Sequence, residues 1–313
     1  MYRHLGLITI ILLSLASISL GKQAIPKGEP IALSMPGDFY MAPQWSPNGD
    51  QVAAAGPSYT GLFLIDFPSG VAIQLSNAYS AGYGFAWSHS GTRIASRIAH
   101  FDNMLRTNTL VSFNTEDYST QLISEPRTRM TGTPLWSTTD SHVYLTNADK
   151  FESFHANNSR TTSLSESLFY VKDGQLLHRD TAGNNDRTLP VNQDNITSYA
   201  VSPDGSRIVY STSGQKLWIA NSDGSGQHSL GSGIAPDWSP DSKWIVFMLT
   251  EDDGHTMLGS ELYLLDTDTE TRLNISNTPD QLEMHPDWSP DGSWIVFDTE
   301  GRGQLFIQQV EWR

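Results

Sequence analysis

Residues 286–301 read PDWSPDGSWIVFDTEG, and the fold turns on whether this stretch does chemistry or geometry. Five other stretches align with it: PQWSPNGDQVAAAG from Pro43, FAWSHSGTRIASRI from Phe85, PLWSTTDSHVYLTN from Pro134, YAVSPDGSRIVYST from Tyr199 and PDWSPDSKWIVFML from Pro236. Six spaced copies make a repeat architecture, in which one supersecondary unit recurs along the chain. The serine after the aromatic falls at 46, 88, 137, 202, 239 and 289, so the intervals are 42, 49, 65, 37 and 50. The longest is less than twice the shortest, which reads as one irregular unit with no hidden copy.

Each copy has the same internal logic. A short apolar strand ends in Trp-Ser, a Pro-Asp-Gly type turn reverses the chain, and an alternating strand such as 244–247 runs back. A third strand follows, as in ELYLLDT (261–267), and a fourth, as in RLNIS (272–276). Four antiparallel strands repeated radially form the blade of a β-propeller. The sixth copy stops after its third strand, QLFIQQVEW (304–312), while EPIALS (29–34) before the first copy fits the missing fourth. The expectation is an all-β, six-bladed propeller closed by this N-terminal strand, with blades starting near 43, 85, 134, 199, 236 and 286.

Composition agrees. The 313 residues include 25 Gly and 16 Pro against 20 Trp plus Tyr, a balance of short strands and turns. The start, MYRHLGLITIILLSLASISLGKQA, has a basic residue, an apolar run from Leu5 to Leu20 and a small-residue site, which is the pattern of a secretory signal over 1–21. An uncleaved anchor is the rival reading. One domain over 22–313 and a periplasmic or secreted location follow from the first.

There is no cysteine, hence no disulfide framework and no thiolate chemistry. Formal net charge is −15, and loss of Arg3 with the signal would make it −16. Such an acidic chain lacks the basic face that phosphate backbones require, so nucleic acid is excluded, and an anionic membrane surface is disfavoured for the same reason. No stable membrane insertion is expected after cleavage, and a monomer is expected.

The repeated P-D-W-S-P-D-G-x-x-I-V-F resembles the TolB-type propeller repeat, a relative of the WD-repeat blade, across essentially the whole mature chain. The N-terminal α/β domain of TolB itself has no counterpart in the roughly 20 residues between signal and first copy. The resemblance implies a fold rather than an activity, because propellers host many functions. On this reading Trp45, Trp87, Trp136, Trp238 and Trp288 pack between blades, and Asp204, Asp241 and Asp291 bond within turns. Asp237 and Asp287 sit on channel-lining strands, where structural hydrogen bonding and ligand contact both remain open.

Function is then expected on the face carrying the longer loops, 56–61, 99–108, 147–167 and 250–260, rather than on the face of tight turns. Candidate ligand-binding residues there are Tyr40, Tyr83, His100, Asp102, Arg106, Asp252, His255, Glu283, His285 and Arg302. Imidazoles with carboxylates are a transition-metal donor set, but no two histidines share a ligand spacing, so no metal, no cofactor and no catalytic residue is assigned. The expected role is a scaffold binding a protein or envelope component. The second reading is a metal-assisted carbohydrate-active enzyme, since propellers similar to this one include lyases of acidic oligosaccharides. In it His100, His255 and His285 would be ligands or acid/base groups, and Arg106 or Arg302 would hold a substrate carboxylate.

Overall fold

A computed structural model describes residues 23–147, 150–156, 166–181, 185–192, 194–278 and 281–313. The expected signal at 1–21 lies outside them. The described residues form seven antiparallel sheets, five of four strands and two of three. These are the blades, numbered here in chain order: 41–76, 86–122, 135–155, 167–188, 196–232, 234–274, and 283–312 with 24–32.

The strand Ala24–Ala32 is the outer strand of the seventh blade. It pairs antiparallel with Leu305–Trp312, from Ala24 opposite Trp312 to Ala32 opposite Phe306, with a bulge between Lys27 and Ile31. One sheet therefore contains both ends of the described chain, which removes an open edge from the ring.

The core lies between blades rather than at one centre. Second strands are covered on both faces along their middles, so apolar residues follow one another there: Val52 to Ala55, Ile245 to Phe247, and Ile295 to Phe297 are all buried. Trp244, Val246 and Leu264 of the sixth blade meet Trp288, Ile295 and Phe297 of the seventh in one such slab. Trp45, Val52 and Ile65 of the first meet Val296, Leu305 and Ile307 of the seventh in the next.

The Trp-Ser-Pro-Asp-Gly signature is a hydrogen-bonding device. Ser202, Ser239 and Ser289 each donate to the turn aspartate two residues on, at 2.6–2.7 Å, and accept the backbone N–H five residues on, at 2.9 Å. The turn closes on Gly49, Gly91, Gly205 or Gly292 at φ between 70° and 76°, a region that costs any residue with a Cβ. The tryptophan then ties neighbours together, since Trp87, Trp136 and Trp238 donate Nε1–H to Gln44, Ala86 and Ala200 of the preceding signature-bearing copy.

Six blades was therefore an undercount. The 65-residue interval holds both the third blade and the fourth. The signature marks the first-to-second-strand turn, and the described part of the fourth blade has no such turn. Its strands Ser167–Lys172, Gln175–Asp180 and Asn185–Thr188 run as second, third and fourth strands, because its Asp173-Gly174 turn abuts Asn195 at the start of the fifth blade. That turn takes positive φ at both positions, 51° and 73°, the two-residue hairpin geometry. The fourth blade also meets the third through a polar seam: Tyr144 and Thr138 donate to Glu166, and the Arg179 guanidinium lies 4.3 Å from the Phe151 ring centre.

Two of the longer loops, 99–108 and 250–260, are largely strand. Residues 93–102 and 105–114 form a ten-residue hairpin, 244–252 and 257–266 form another, and Lys150–His155 is the third strand of the third blade. Both hairpins project from the face opposite the Pro-Asp-Gly turns.

Candidate functional site

Of the cavities that open toward that face, two bear on the candidate site. The first is axial. The first strands of blades one, six and seven share a bulge, between Met41 and Gln44, Ile234 and Asp237, and Met284 and Asp287. Ala42, Ala235 and His285 hold φ of 51°, 49° and 49° directly before Pro43, Pro236 and Pro286. Strain of this kind persists only where the surroundings over-determine it. Its recurrence in three blades assigns it to the architecture. The bulges bring Gln44, Tyr199, Asp237, His285 and Asp287 around a cavity of about 290 Å³.

The two aspartates are committed to the ring. Asp237 Oδ2 accepts the backbone N–H of Trp288 at 2.8 Å, and Asp287 Oδ2 accepts that of Trp45 at 2.7 Å. Burial raises both carboxyls, and the charge of Asp237 raises Asp287 further. His285 Nδ1 lies 2.9 Å from Asp298 Oδ1. Burial works against a charged imidazole there, but the Asp298 hydrogen bond and charge outweigh it, so His285 is raised.

The second cavity, about 260 Å³, lies at the base of the 93–114 hairpin and is lined by Ser80, Tyr83, Arg97, Arg106 and Asn108. Arg97 is half-buried and gives one N–H to Met130 O at 2.9 Å. Arg106 at the rim bonds Asn108 Oδ1 at 3.2 Å and Ser80 Oγ at 3.0 Å. The Tyr83 ring lies 5.6 Å from the Arg97 guanidinium.

Among the residues singled out from sequence, Tyr83 and Arg106 share this second cavity, and His285 lines the first. His100 and Asp102 are exposed along the hairpin edge, and Arg302 is exposed in the turn before Leu305. Asp252 bonds Gln215 and the N–H of Gly254, which shapes the second hairpin's tip, and His255 is exposed there. Tyr40 is only 6% exposed and packs edge-on against Phe63, while Glu283 is 1% exposed and accepts the Thr278 hydroxyl. Those two face packing rather than solvent. Among the described residues no three His, Asp or Glu side chains are grouped to hold a metal ion. His100, His255 and His285 stand in three different blades.

Sequence reasoning passed over Arg97 and Asp298, although a signal existed. Across the repeat, one position at the end of the second strand holds Ala55, Arg97, Thr146, Ser211, Met248 and Asp298. Charge stands there only in the second and seventh blades, and those two side chains line one cavity and support the other.

On the opposite face a cavity of about 820 Å³ is lined by Trp87, Trp136, Phe169, His178 and Val201. It stands where the fourth blade would place a first strand, and no such strand is among the described residues.

The sheets and their closure define a seven-bladed β-propeller. Residues 165–312 match the family model of the TolB beta propeller domain, so that stretch is similar to a TolB-type repeat array. No curated protein matches the chain. Among solved structures it is similar to an oligogalacturonate lyase from Vibrio parahaemolyticus, at TM-score 0.62 and 13% identity over 93% of this chain and 97% of that one. It is equally similar to U3-55K, at 0.64 and 11% over 91% and 99%, and to the RRP9 WD40 repeats, at 0.64 and 11% over 93% and 100%. At such identities the likeness is one of fold.

Proposed function

We propose that this protein is an extracytoplasmic binding scaffold that engages a protein or envelope component through the face bearing the two long hairpins. The observation that carries this reading is the tip of the 93–114 hairpin. Met104 is 98% exposed, Phe101 and Leu105 are each 57% exposed, and Tyr79 packs edge-on against Phe101 at 5.4 Å. Asn103 and Met104 take φ of 46° and 66°, the two-residue turn that normally selects Asn or Gly. A methionine there accepts backbone cost for a side chain covered by almost nothing in its own chain. Exposed apolar groups clustered on a projecting element mark a contact surface.

The location rests on the apolar run at 5–20, read as part of a cleaved signal, with 22–313 as the mature domain. No helix of the described residues is long and apolar enough to cross a membrane. The carbohydrate-active reading draws less support, because its three histidines are not gathered. A photo-crosslinking residue at position 104 tests the scaffold: a discrete adduct in envelope extract supports it, and no adduct beyond that of a residue placed on the tight-turn face refutes it.

A further inference from the structure

We propose that the cavity between Arg97 and Arg106 is a binding site for a single carboxylate group. This stands apart from the scaffold reading and does not depend on it.

Two guanidinium groups line one small cavity and no acidic side chain does. Neither arginine forms an ion pair among the described residues, in a chain with 34 acidic residues against 19 basic ones. Counter-charges are abundant and have been kept out. Arg97 is partly desolvated as well, and its Nε is buried with no acceptor among the described residues. Burial lowers the Arg97 guanidinium, and the Arg106 charge lowers it further against the contrary effect of Tyr83. A partly buried cation with no counter-charge among the described residues carries a desolvation cost, so an arriving anion offsets a penalty already present in the folded protein.

The donors point to a planar acceptor. Arg97 uses one nitrogen on Met130 O, and Arg106 uses Nε on Asn108 and Nη2 on Ser80. That leaves nitrogens on both groups, one at the floor and one at the rim, for the two oxygens of a carboxylate. The exposed Tyr83 ring, already stacked near Arg97, forms an apolar side wall for whatever carries the acid. A phosphate would fit two arginines, but its second charge meets the field of a chain at −15 more strongly than one carboxylate does.

The carboxylate has two possible sources, a free small acid or the end of a peptide chain. Calorimetric titration of the full mature protein with acetate and with acetyl-dialanine, each beside its neutral amide, separates them. The expected result is saturable binding of at least one acid at millimolar concentration and none of its amide. Acetate binding assigns a small-acid site, and binding confined to the peptide assigns a chain-end site. Arg106 is exposed, so Arg106→Gln should fold and should weaken binding about tenfold, the loss of one charge-assisted hydrogen bond, with partial recovery in Arg106→Lys. Absence of binding by both acids, equal binding of the amides, an unchanged Arg106→Gln, or tighter binding of inorganic phosphate would each overturn the assignment.

Discussion

The Asp287 carboxylate accepts the backbone N–H of Trp45 at 2.7 Å, across 242 residues of chain, and so bonds the last blade to the first. Asp237 repeats the contact to Trp288 one blade earlier, at 2.8 Å. Both tryptophans leave their indole N–H unpartnered among the described residues, whereas Trp87, Trp136 and Trp238 donate theirs across the blade boundary. The side-chain acid thus takes over the inter-blade bond. Asp287→Ala should lower stability by about 2 kcal/mol, since it strands a buried N–H that had a side-chain acceptor. Asp287→Asn, which keeps an acceptor oxygen, should lose less. Urea midpoints of the three proteins check the order.

The same pair predicts a pH dependence. Burial pushes Asp237 up to about 6, above an unfolded value near 4. The folded state therefore binds this proton more tightly, and the associated stability is full below about pH 4 and is lost as pH rises through about 6. Asp237→Asn removes the titration while keeping an acceptor for Trp288. Relative to wild type it should gain on the order of 1 kcal/mol between pH 5 and pH 7. Thermal midpoints for both proteins at those two pH values measure it, and parallel curves would contradict the assignment.

Trp312 closes the ring beside Ala24. It stacks on Trp288 at 6.1 Å and 22°, and donates Nε1–H to Gly292 O at 3.0 Å. Trp312→Ala should destabilise by about 3 kcal/mol, from lost burial and a lost hydrogen bond. Chemical denaturation reads this directly.

Met104 behaves oppositely. It packs against nothing in the ring, so Met104→Asn should change stability by less than about 0.5 kcal/mol and suits the positive φ better. Unchanged melting with altered partner retention separates a contact role from a folding role.

The blade was legible in the sequence because turn chemistry is local. Serine, aspartate and glycine at fixed offsets produce the same hydrogen bonds in copy after copy. The blade count was not, because the fourth blade's described strands carry none of that turn and its seam with the third uses Glu166, Phe151 and Arg179 in place of a tryptophan. Reading loops by length did not foresee that two of them are built largely of strand. Residues 99–102 with 105–108, and 250–252 with 257–260, continue the paired strands of their blades beyond the ring. Tyr40 and Glu283 were put among surface candidates by position alone, and packing against Phe63 and the Thr278 hydroxyl sets their environment instead.

The central claim is that the 93–114 hairpin tip makes the contact with a partner. Wild-type protein and a Phe101→Ala, Met104→Asn double variant, matched for folding by circular dichroism, should be immobilised and exposed to the same envelope extract. The account predicts a species retained by wild type and lost from the variant. The same species retained equally by both would contradict it.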